Sequence, residues 1–148
     1  HGIFGDLYAV RGDFLRRMKA AGIRLPDDLI GDDGLIGALV KTDLKNEDDL
    51  RPSRLPYCEG AGFLCEPVKL WDPASWQLQY ARMINYSVRH YQNVMISKIM
   101  KGPGPTGLPR KLASLYPDEL PMMKPRGSFL LGHFDWLALQ RMAAAVSA

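Results

Sequence analysis

The sequence predicts an α/β fold in which a few short strands pack with helices, one of them long. Short apolar runs interrupted by glycine or proline are typical of buried or edge strands, and they occur at residues 7–10, 55–58 and 62–65. Apolar residues spaced three and four apart instead indicate helices. The longest pattern of this kind covers residues 74–101.

The first predicted elements are a buried strand at Leu7–Val10 and a short helix. Gly5, just before the strand, marks a position where another backbone or a ligand approaches closely. Asp13 is suited to cap the helix, and Gly22 is suited to end it.

An acidic stretch follows at Leu25–Ile36, where Asp32 and Asp33 come just before an apolar helical pattern. Either aspartate can be the N-cap, because its side chain accepts a backbone N–H of the first turn. The positive end of the helix dipole also favours an ionised carboxylate there. These residues therefore leave two roles open, a helix cap and a general base.

The segment between the acidic stretch and the long helix is polar and then irregular. Residues 41–54 are rich in charge and predict a surface loop or a frayed helix end. Pro56 and Pro67 limit the strand pieces at residues 55–58 and 62–65 to edge positions. Cys58 and Cys65, separated by six residues, match neither a zinc site nor a redox Cys-x-x-Cys, and we expect free thiols.

The long helix is predicted to begin at Asp72-Pro73. One face is an apolar stripe, which comprises Trp76, Tyr80, Ile84, Val88, Tyr91, Met95 and Ile99. Another face is polar and comprises Gln79, Arg82, Asn85, Arg89 and Gln92. That polar face is either solvated surface or a site where two arginines grip a pyrophosphate.

The rest of the chain divides into an arm and a helix. Residues 102–107 are rich in glycine and proline and end the long helix, and residues 108–127 predict an irregular arm. Residues 128–146 predict an amphipathic helix with Asp135, Gln140 and Arg141 on its polar side. Its partner is its own domain, another subunit or a membrane surface. The expected division is 1–101, 102–127 and 128–148.

Composition excludes several classes of partner. The net charge of +3 is mild and no polybasic run occurs, so we expect no nucleic-acid binding. The sequence contains no run of 18 uncharged apolar residues, so it predicts no membrane span. We expect a cytoplasmic protein. Residues 128–146 are a possible site of peripheral contact with the inner face of the membrane, and self-association is also possible.

Three segments carry a resemblance to a known family. They are Gly5–Arg11, Leu25–Asp33 and Gln79–Met83. In this order they resemble the C-terminal, acceptor-side half of family-two inverting glycosyltransferases of the GT-A fold, a group that includes cellulose, chitin and hyaluronan synthases. The resemblance implies the C-terminal half of a GT-A fold and covers about residues 2–100.

The resemblance implies a role for each matching residue. Asp33 matches the general base, which removes a proton from the acceptor hydroxyl, and Asp32 stands where the family usually has Glu. The acceptor-binding residues implied are Gly5, Asp6, Tyr8 and Asp32. The donor-binding residues implied are Gln79, Arg82 and Arg89, with Met83 in the place of the family's Trp.

The resemblance also implies partners that this chain does not supply. These are a nucleotide-sugar donor, a saccharide or lipid-linked acceptor, and an N-terminal half that binds the nucleotide and its Mg²⁺ or Mn²⁺. No residue of this chain is assigned to the metal, and we expect the chain alone to be inactive. The alternative is a non-catalytic interaction module in which both carboxylates are caps and the long helix is a docking surface.

Overall fold

The computed structural model describes residues 7–56, 59–60, 62, 64, 68–69 and 71–146. These residues form five α-helices joined by loops and short 3₁₀ turns. The helices are α1 (Gly12–Ala20), α2 (Asp32–Thr42), α3 (Pro73–Lys101), α4 (Tyr116–Glu119) and α5 (Phe129–Ala144). The 3₁₀ turns are Glu47–Asp49, Pro52–Arg54, Pro105–Gly107, Leu112–Leu115 and Leu120–Met122.

The predicted α/β class, and with it the C-terminal half of a GT-A fold, is wrong for the described residues, which contain no β-strand. The segment Leu7–Val10 is irregular backbone, with Leu7 and Tyr8 exposed. An apolar run becomes a strand only where a second segment supplies hydrogen-bond partners, and no described segment pairs with this one. Cys58, Phe63 and Cys65 of the other predicted strands lie outside the described residues.

Helix α3 begins as the sequence predicts. Its N-cap is Asp72, whose carboxylate accepts hydrogen bonds from the Ala74 backbone N–H and the Ser75 hydroxyl. Pro73 occupies the first turn, where its missing N–H removes no helical hydrogen bond. The helix ends at Lys101, before Gly102. Local signals therefore determine both of its ends.

The second half of α3 is the centre of the core. All seven buried residues of this helix lie at or after Ser87. They pack with apolar side chains from the other helices, and the core cluster comprises Phe14, Ile23, Leu35, Leu39, Val88, Tyr91, Met95, Ile96, Met100, Leu112, Tyr116, Ala138 and Met142. The predicted apolar stripe is thus buried only in its second half, because Trp76 and Tyr80 are exposed.

The charged segment after α2 is more regular than the predicted loop. Helix α2 continues to Thr42 and stops where Asp43 and Leu44 adopt left-handed backbone angles. Two 3₁₀ turns follow, and the Arg54 guanidinium donates hydrogen bonds to the backbone carbonyls of Lys41 and Asp49. The segment is therefore folded back onto the end of α2.

Residues 105–122 also differ from the predicted irregular arm. They form short helical turns that pack on the second half of α3, with Leu112 and Tyr116 buried. Prolines at the starts of these turns fit the first helical position, where no backbone donor is needed.

Helix α5 packs against α3 and buries one predicted polar residue. Asp135 is fully buried, because Arg126 supplies a backbone N–H and two guanidinium hydrogen bonds to its carboxylate. Asp135, predicted on the polar side of an amphipathic helix, is thus a buried residue. No helix among the described residues is long and apolar enough to cross a membrane.

Candidate functional site

The acidic pair lies in the first turn of α2, but neither carboxylate is its N-cap. The N-cap is Gly31, which has φ of 80° and ψ of 69°. Asp32 Oδ1 instead accepts the backbone N–H of its neighbour Asp33. As a glycine, Gly31 adopts its left-handed conformation without the steric cost of a Cβ. The cap interpretation of the two aspartates is therefore not what the structure shows, although both remain near the positive end of the helix dipole.

Asp33 forms a short ion pair with Arg89 of α3. The distance from Arg89 Nη2 to Asp33 Oδ1 is 2.7 Å, and the two side chains are 28% and 10% exposed. The Arg89 guanidinium lies directly against two glycines, Gly34 in α2 and Gly31 at its N-cap. A Cβ at position 31 would be 2.6 Å from Arg89 Cζ, and one at position 34 would be 3.1 Å from Nη2. Gly31 and Gly34 therefore make the space in which the arginine reaches Asp33.

Tyr8 joins the carboxylates from the irregular segment before α1. Its ring is 38% exposed. Partial burial and the negative charges of Asp32 and Asp33 raise the pKa of the Tyr8 hydroxyl. The hydroxyl is thus neutral at physiological pH and lies in the field of both carboxylates.

Buried Gln92 attaches the acidic segment to α3. Its side-chain oxygen accepts the Ile30 backbone N–H at 2.8 Å, and its amide nitrogen donates to the Asp28 carbonyl at 3.0 Å. The same nitrogen donates to the Tyr116 hydroxyl at 3.0 Å. Burial raises the pKa of Tyr116 despite that hydrogen bond, so its hydroxyl stays neutral. The sequence prediction placed Gln92 on the polar face, and this is wrong.

A second set of contacts holds the acidic segment from the other side. Asp28 accepts the backbone N–H groups of Leu112 and Ala113, at 2.7 and 2.8 Å, and so caps the turn that begins there. Asp27 forms an exposed ion pair with Arg110 at 3.1 Å. The acidic segment is therefore fixed between α3 and residues 110–113 before it enters α2.

The remaining predicted site residues do not join this cluster. Gln79 is partly exposed and Arg82 is exposed, and neither side chain forms a hydrogen bond or ion pair with another described residue. Arg82 precedes Arg89 by seven residues, which is about 10 Å along a helix axis. Gly5 and Asp6 lie outside the described residues. The structure thus brings together Tyr8, Asp32, Asp33 and Arg89 and leaves Gln79 and Arg82 apart.

Sequence reasoning missed three residues that support the cluster: Asp28, Gln92 and Tyr116. The signal for Gln92 was its place beside Tyr91 and Met95 in the helical pattern, where a polar side chain needs buried partners. The signal for Asp28 was weaker, because its partners, Leu112 and Ala113, are more than 80 residues away. Long-range partners of this kind leave no local pattern.

The cavity that reaches the start of α2 is small. It has a volume of about 200 Å³ and lies between α2 and α3, with Gly34, Leu35 and Asn93 among its lining residues. A larger groove of about 480 Å³ lies at α4 and α5, lined by Tyr116 and Trp136 among others. Small-molecule sites are commonly about 300–1,000 Å³, so the first cavity is smaller than a usual site for a ligand of drug size.

Chemically, the cluster offers two adjacent carboxylates, a phenol and one guanidinium. Carboxylates of this kind can accept a proton or hold the hydroxyl groups of a polar ligand. The described residues contain no group of three or more His, Cys, Asp or Glu side chains placed to hold a metal ion.

No family model matches this chain, and neither a curated protein nor a solved structure shows significant similarity to it.

Proposed function

We propose that this chain is the acceptor-side part of a glycosyltransferase that transfers a sugar from a nucleotide-sugar donor to a hydroxyl acceptor with inversion. The observation that carries the proposal is the meeting of Tyr8, Asp32, Asp33 and Arg89 in one cluster. They come from three separate segments of the chain. Two of these segments, Gly5–Arg11 and Leu25–Asp33, also carry the resemblance, whereas the third resembling segment, Gln79–Met83, does not join the cluster.

In the proposed reaction Asp33 is the general base. It takes the proton of the acceptor hydroxyl while that oxygen bonds to the anomeric carbon and the nucleotide diphosphate leaves from the opposite face. Arg89 holds Asp33 Oδ1, and Asp32 and Tyr8 are placed to hydrogen-bond acceptor hydroxyls. Assistance by a general base contributes about 10²–10⁴-fold to the rate of such a step.

Gln79 and Arg82 have the donor-side role in this proposal. They precede Arg89, the partner of Asp33, by ten and seven residues on α3, which is about 15 and 10 Å along the helix axis. Arg82 is exposed and can offset the negative charge of a diphosphate. The resemblance assigns the Mg²⁺ or Mn²⁺ of the proposed enzyme, like its nucleotide-binding half, to residues outside this chain.

The test is sugar transfer by the complete gene product. Release of nucleotide diphosphate is measured with a panel of nucleotide sugars and Mn²⁺ or Mg²⁺, for the wild type and for Asp33→Asn. We expect Asp33→Asn to lower kcat by about 10²–10⁴-fold in protein that circular dichroism shows to be folded. Asp27→Asn is the matched control, because Asp27 lies in the same segment but forms only an exposed ion pair with Arg110.

A companion measurement tests the need for a second half. Isothermal titration of this chain alone with UDP-sugars and Mn²⁺ should show no tight binding. Tight metal-dependent binding would contradict the proposal that the nucleotide site lies elsewhere.

The second candidate is a non-catalytic interaction module. The ion pair itself favours it, because a carboxylate held at 2.7 Å by an arginine can be purely structural. In that case Asp33→Asn lowers the stability of the chain and leaves any transfer activity of the complete gene product unchanged. The transfer activity of the folded variant separates the two candidates, because both of them include the loss of the ion pair.

A further inference from the structure

The positive charge of the chain is concentrated in residues 11–24, which comprise α1 and the residues just before and after it. The chain has 19 basic and 16 acidic residues, of which this stretch contains five and one, which leaves 14 and 15 for the rest. The five basic residues are Arg11, Arg16, Arg17, Lys19 and Arg24. The net charge of +3 therefore originates in one short part of the chain.

Two of these five cations have an acidic partner. Arg11 forms an ion pair with Asp13 at 3.0 Å, and Arg17 forms one with Asp43 at 2.6 Å. The other three are exposed, and none of their side chains forms a hydrogen bond or ion pair with another described residue. These three are Arg16, Lys19 and Arg24. The surface at α1 therefore keeps three positive charges that no described carboxylate neutralises.

Two of the unpaired cations lie side by side on α1, away from the core. Phe14 is buried and marks the side of the helix that faces the core. Since successive residues are about 100° apart, Leu15, Lys19 and Arg16 follow one another around the other side within an arc of about 100°. Nη1 of Arg16 lies 3.6 Å from where a Cβ at Gly12 would be, so its guanidinium extends along this side. We call Leu15, Arg16 and Lys19 the basic face.

Arg24 adds a third charge at the C-terminal end of the same helix. The Ile23 backbone N–H donates to the Met18 carbonyl at 3.0 Å, which holds the chain at the end of α1 just before Arg24. Lys19 lies in the last turn of α1. The positive charges therefore continue from the basic face to the end of the helix.

The composition of the basic face favours a lipid surface over a nucleic acid. Leu15 is 50% exposed beside the two cations. Segments that bind anionic membranes combine cations, which contact the headgroups, with apolar side chains that enter the boundary of the acyl chains. Single-stranded nucleic acids are bound by cations together with aromatic side chains on which the bases stack. The only aromatic residue in positions 11–24 is Phe14, and it is buried.

We propose that the basic face of α1 is a contact site for an anionic phospholipid surface. Arg16 and Lys19 contact the anionic headgroups, and Leu15 enters the interface between them. Each lysine or arginine near such a surface strengthens binding by about fivefold, so three cations strengthen it by about a hundredfold. The contact is therefore weak and reversible. The proposal uses no residue of the acidic cluster and is independent of the glycosyltransferase proposal.

The test is co-sedimentation of the purified chain with phosphatidylcholine vesicles that contain or lack phosphatidylglycerol. We expect binding only to the vesicles with phosphatidylglycerol, and its loss at about 1 M salt, where the Debye length is about 3 Å. The double variant Arg16→Ser/Lys19→Ser should bind about 25-fold more weakly. Leu15→Ser should bind severalfold more weakly, although its charge is unchanged.

The matched control is the double variant Arg51→Ser/Lys124→Ser. It has the same net charge as the variant of the basic face, and both of its positions are exposed and lie outside residues 11–24. We expect its binding to decrease by no more than about twofold, because the charges of the basic face remain. Circular dichroism melting of every variant verifies that it is folded, as expected for changes at exposed positions.

Three results would overturn the proposal. The first is a wild-type chain that binds neither kind of vesicle, or binds both equally. The second is an equal loss of binding in the two double variants, which would mean that only the net charge matters. The third is binding of a labelled single-stranded oligonucleotide, measured by fluorescence anisotropy, that decreases in Arg16→Ser/Lys19→Ser while vesicle binding does not. That result would assign the basic face to a nucleic acid.

Discussion

The Gln92 side chain connects the acidic segment, α3 and α4 through its hydrogen bonds. Replacing it with alanine should lower the free energy of unfolding by about 2–4 kcal/mol, because buried groups of Ile30, Asp28 and Tyr116 lose their partner. Urea unfolding followed by circular dichroism measures the change. Gln77→Ala, at an exposed position on the same helix, should change the stability by no more than about 0.5 kcal/mol. Equal effects of the two substitutions would contradict the role assigned to Gln92.

Gly31 combines a left-handed backbone with a crowded position, and Gly22 provides a comparison. Both have positive φ, 80° and 70°, but a Cβ at position 22 would meet nothing within 4 Å. Gly22→Ala should cost only the left-handed backbone, about 1–2 kcal/mol. Gly31→Ala should cost more, because the Arg89 guanidinium must also move away from Asp33. Paired unfolding measurements test the difference, and a smaller loss for Gly31→Ala than for Gly22→Ala would refute the crowding argument.

At the scale of residues, the sequence predicted the members of the cluster better than their connections. Asp32, Asp33, Tyr8 and Arg89 were all candidates, but Arg89 was assigned to the donor and was not expected to contact Asp33. The two residues are 56 positions apart, and no local pattern encodes such a contact. The cap assignment of the aspartates is wrong because the position before them is a glycine that adopts φ near 80°.

Helix α5 depends on one buried carboxylate. Burial would raise the pKa of Asp135, but hydrogen bonds from the Arg126 side chain and backbone and from Ser87 outweigh it and hold the pKa well below its usual range. A depressed folded-state pKa stabilises the protein above the unfolded value of about 3.9, and this contribution is lost as the pH falls. We expect it to be about 2 kcal/mol, after allowance for the partial exposure of Arg126.

The measurement is urea unfolding of the wild type and of Asp135→Asn between pH 7 and pH 2. The wild type should lose more stability than the variant as the pH falls below about 4. Arg126→Ala leaves Asp135 buried without its cation. At pH 7 its free energy of unfolding should be about 3–5 kcal/mol below that of the wild type, and it should be less stable than Asp135→Asn. Parallel pH profiles for the wild type and Asp135→Asn would show that Asp135 does not have the depressed pKa.

At the scale of elements, the predictions agree with the structure where local sequence signals are present. Asp72-Pro73 and Gly102 define α3 through a cap, a first-turn proline and a helix-ending glycine, and these act within a few residues. The prediction of a strand at residues 7–10 is wrong because short apolar runs cannot be assigned to a strand or a helix by pattern alone. The same limit applies to the turns at residues 105–122, whose order comes from packing on α3.

For the whole molecule, stability should be distributed unevenly along α3. Its buried residues begin at Ser87, so amide hydrogen exchange at residues 88–100 should be slower than at residues 75–84 by at least about tenfold. Exchange measured by mass spectrometry at low protein concentration tests this prediction. Uniform protection along the helix in the monomer would mean that the first half is packed against something that its exposure does not reveal.

Helix α3 contains no glycine, and no proline after Pro73, so nothing in its sequence introduces a hinge. Trp76 and Arg89 are thirteen residues apart, which sets a separation of about 20 Å along the axis. The helix is therefore a spacer of fixed length between Trp76 and the Asp33–Arg89 pair. A molecule that is to reach both places at once must span that distance, and lengthening the spacer would require a change of sequence rather than a change of conformation.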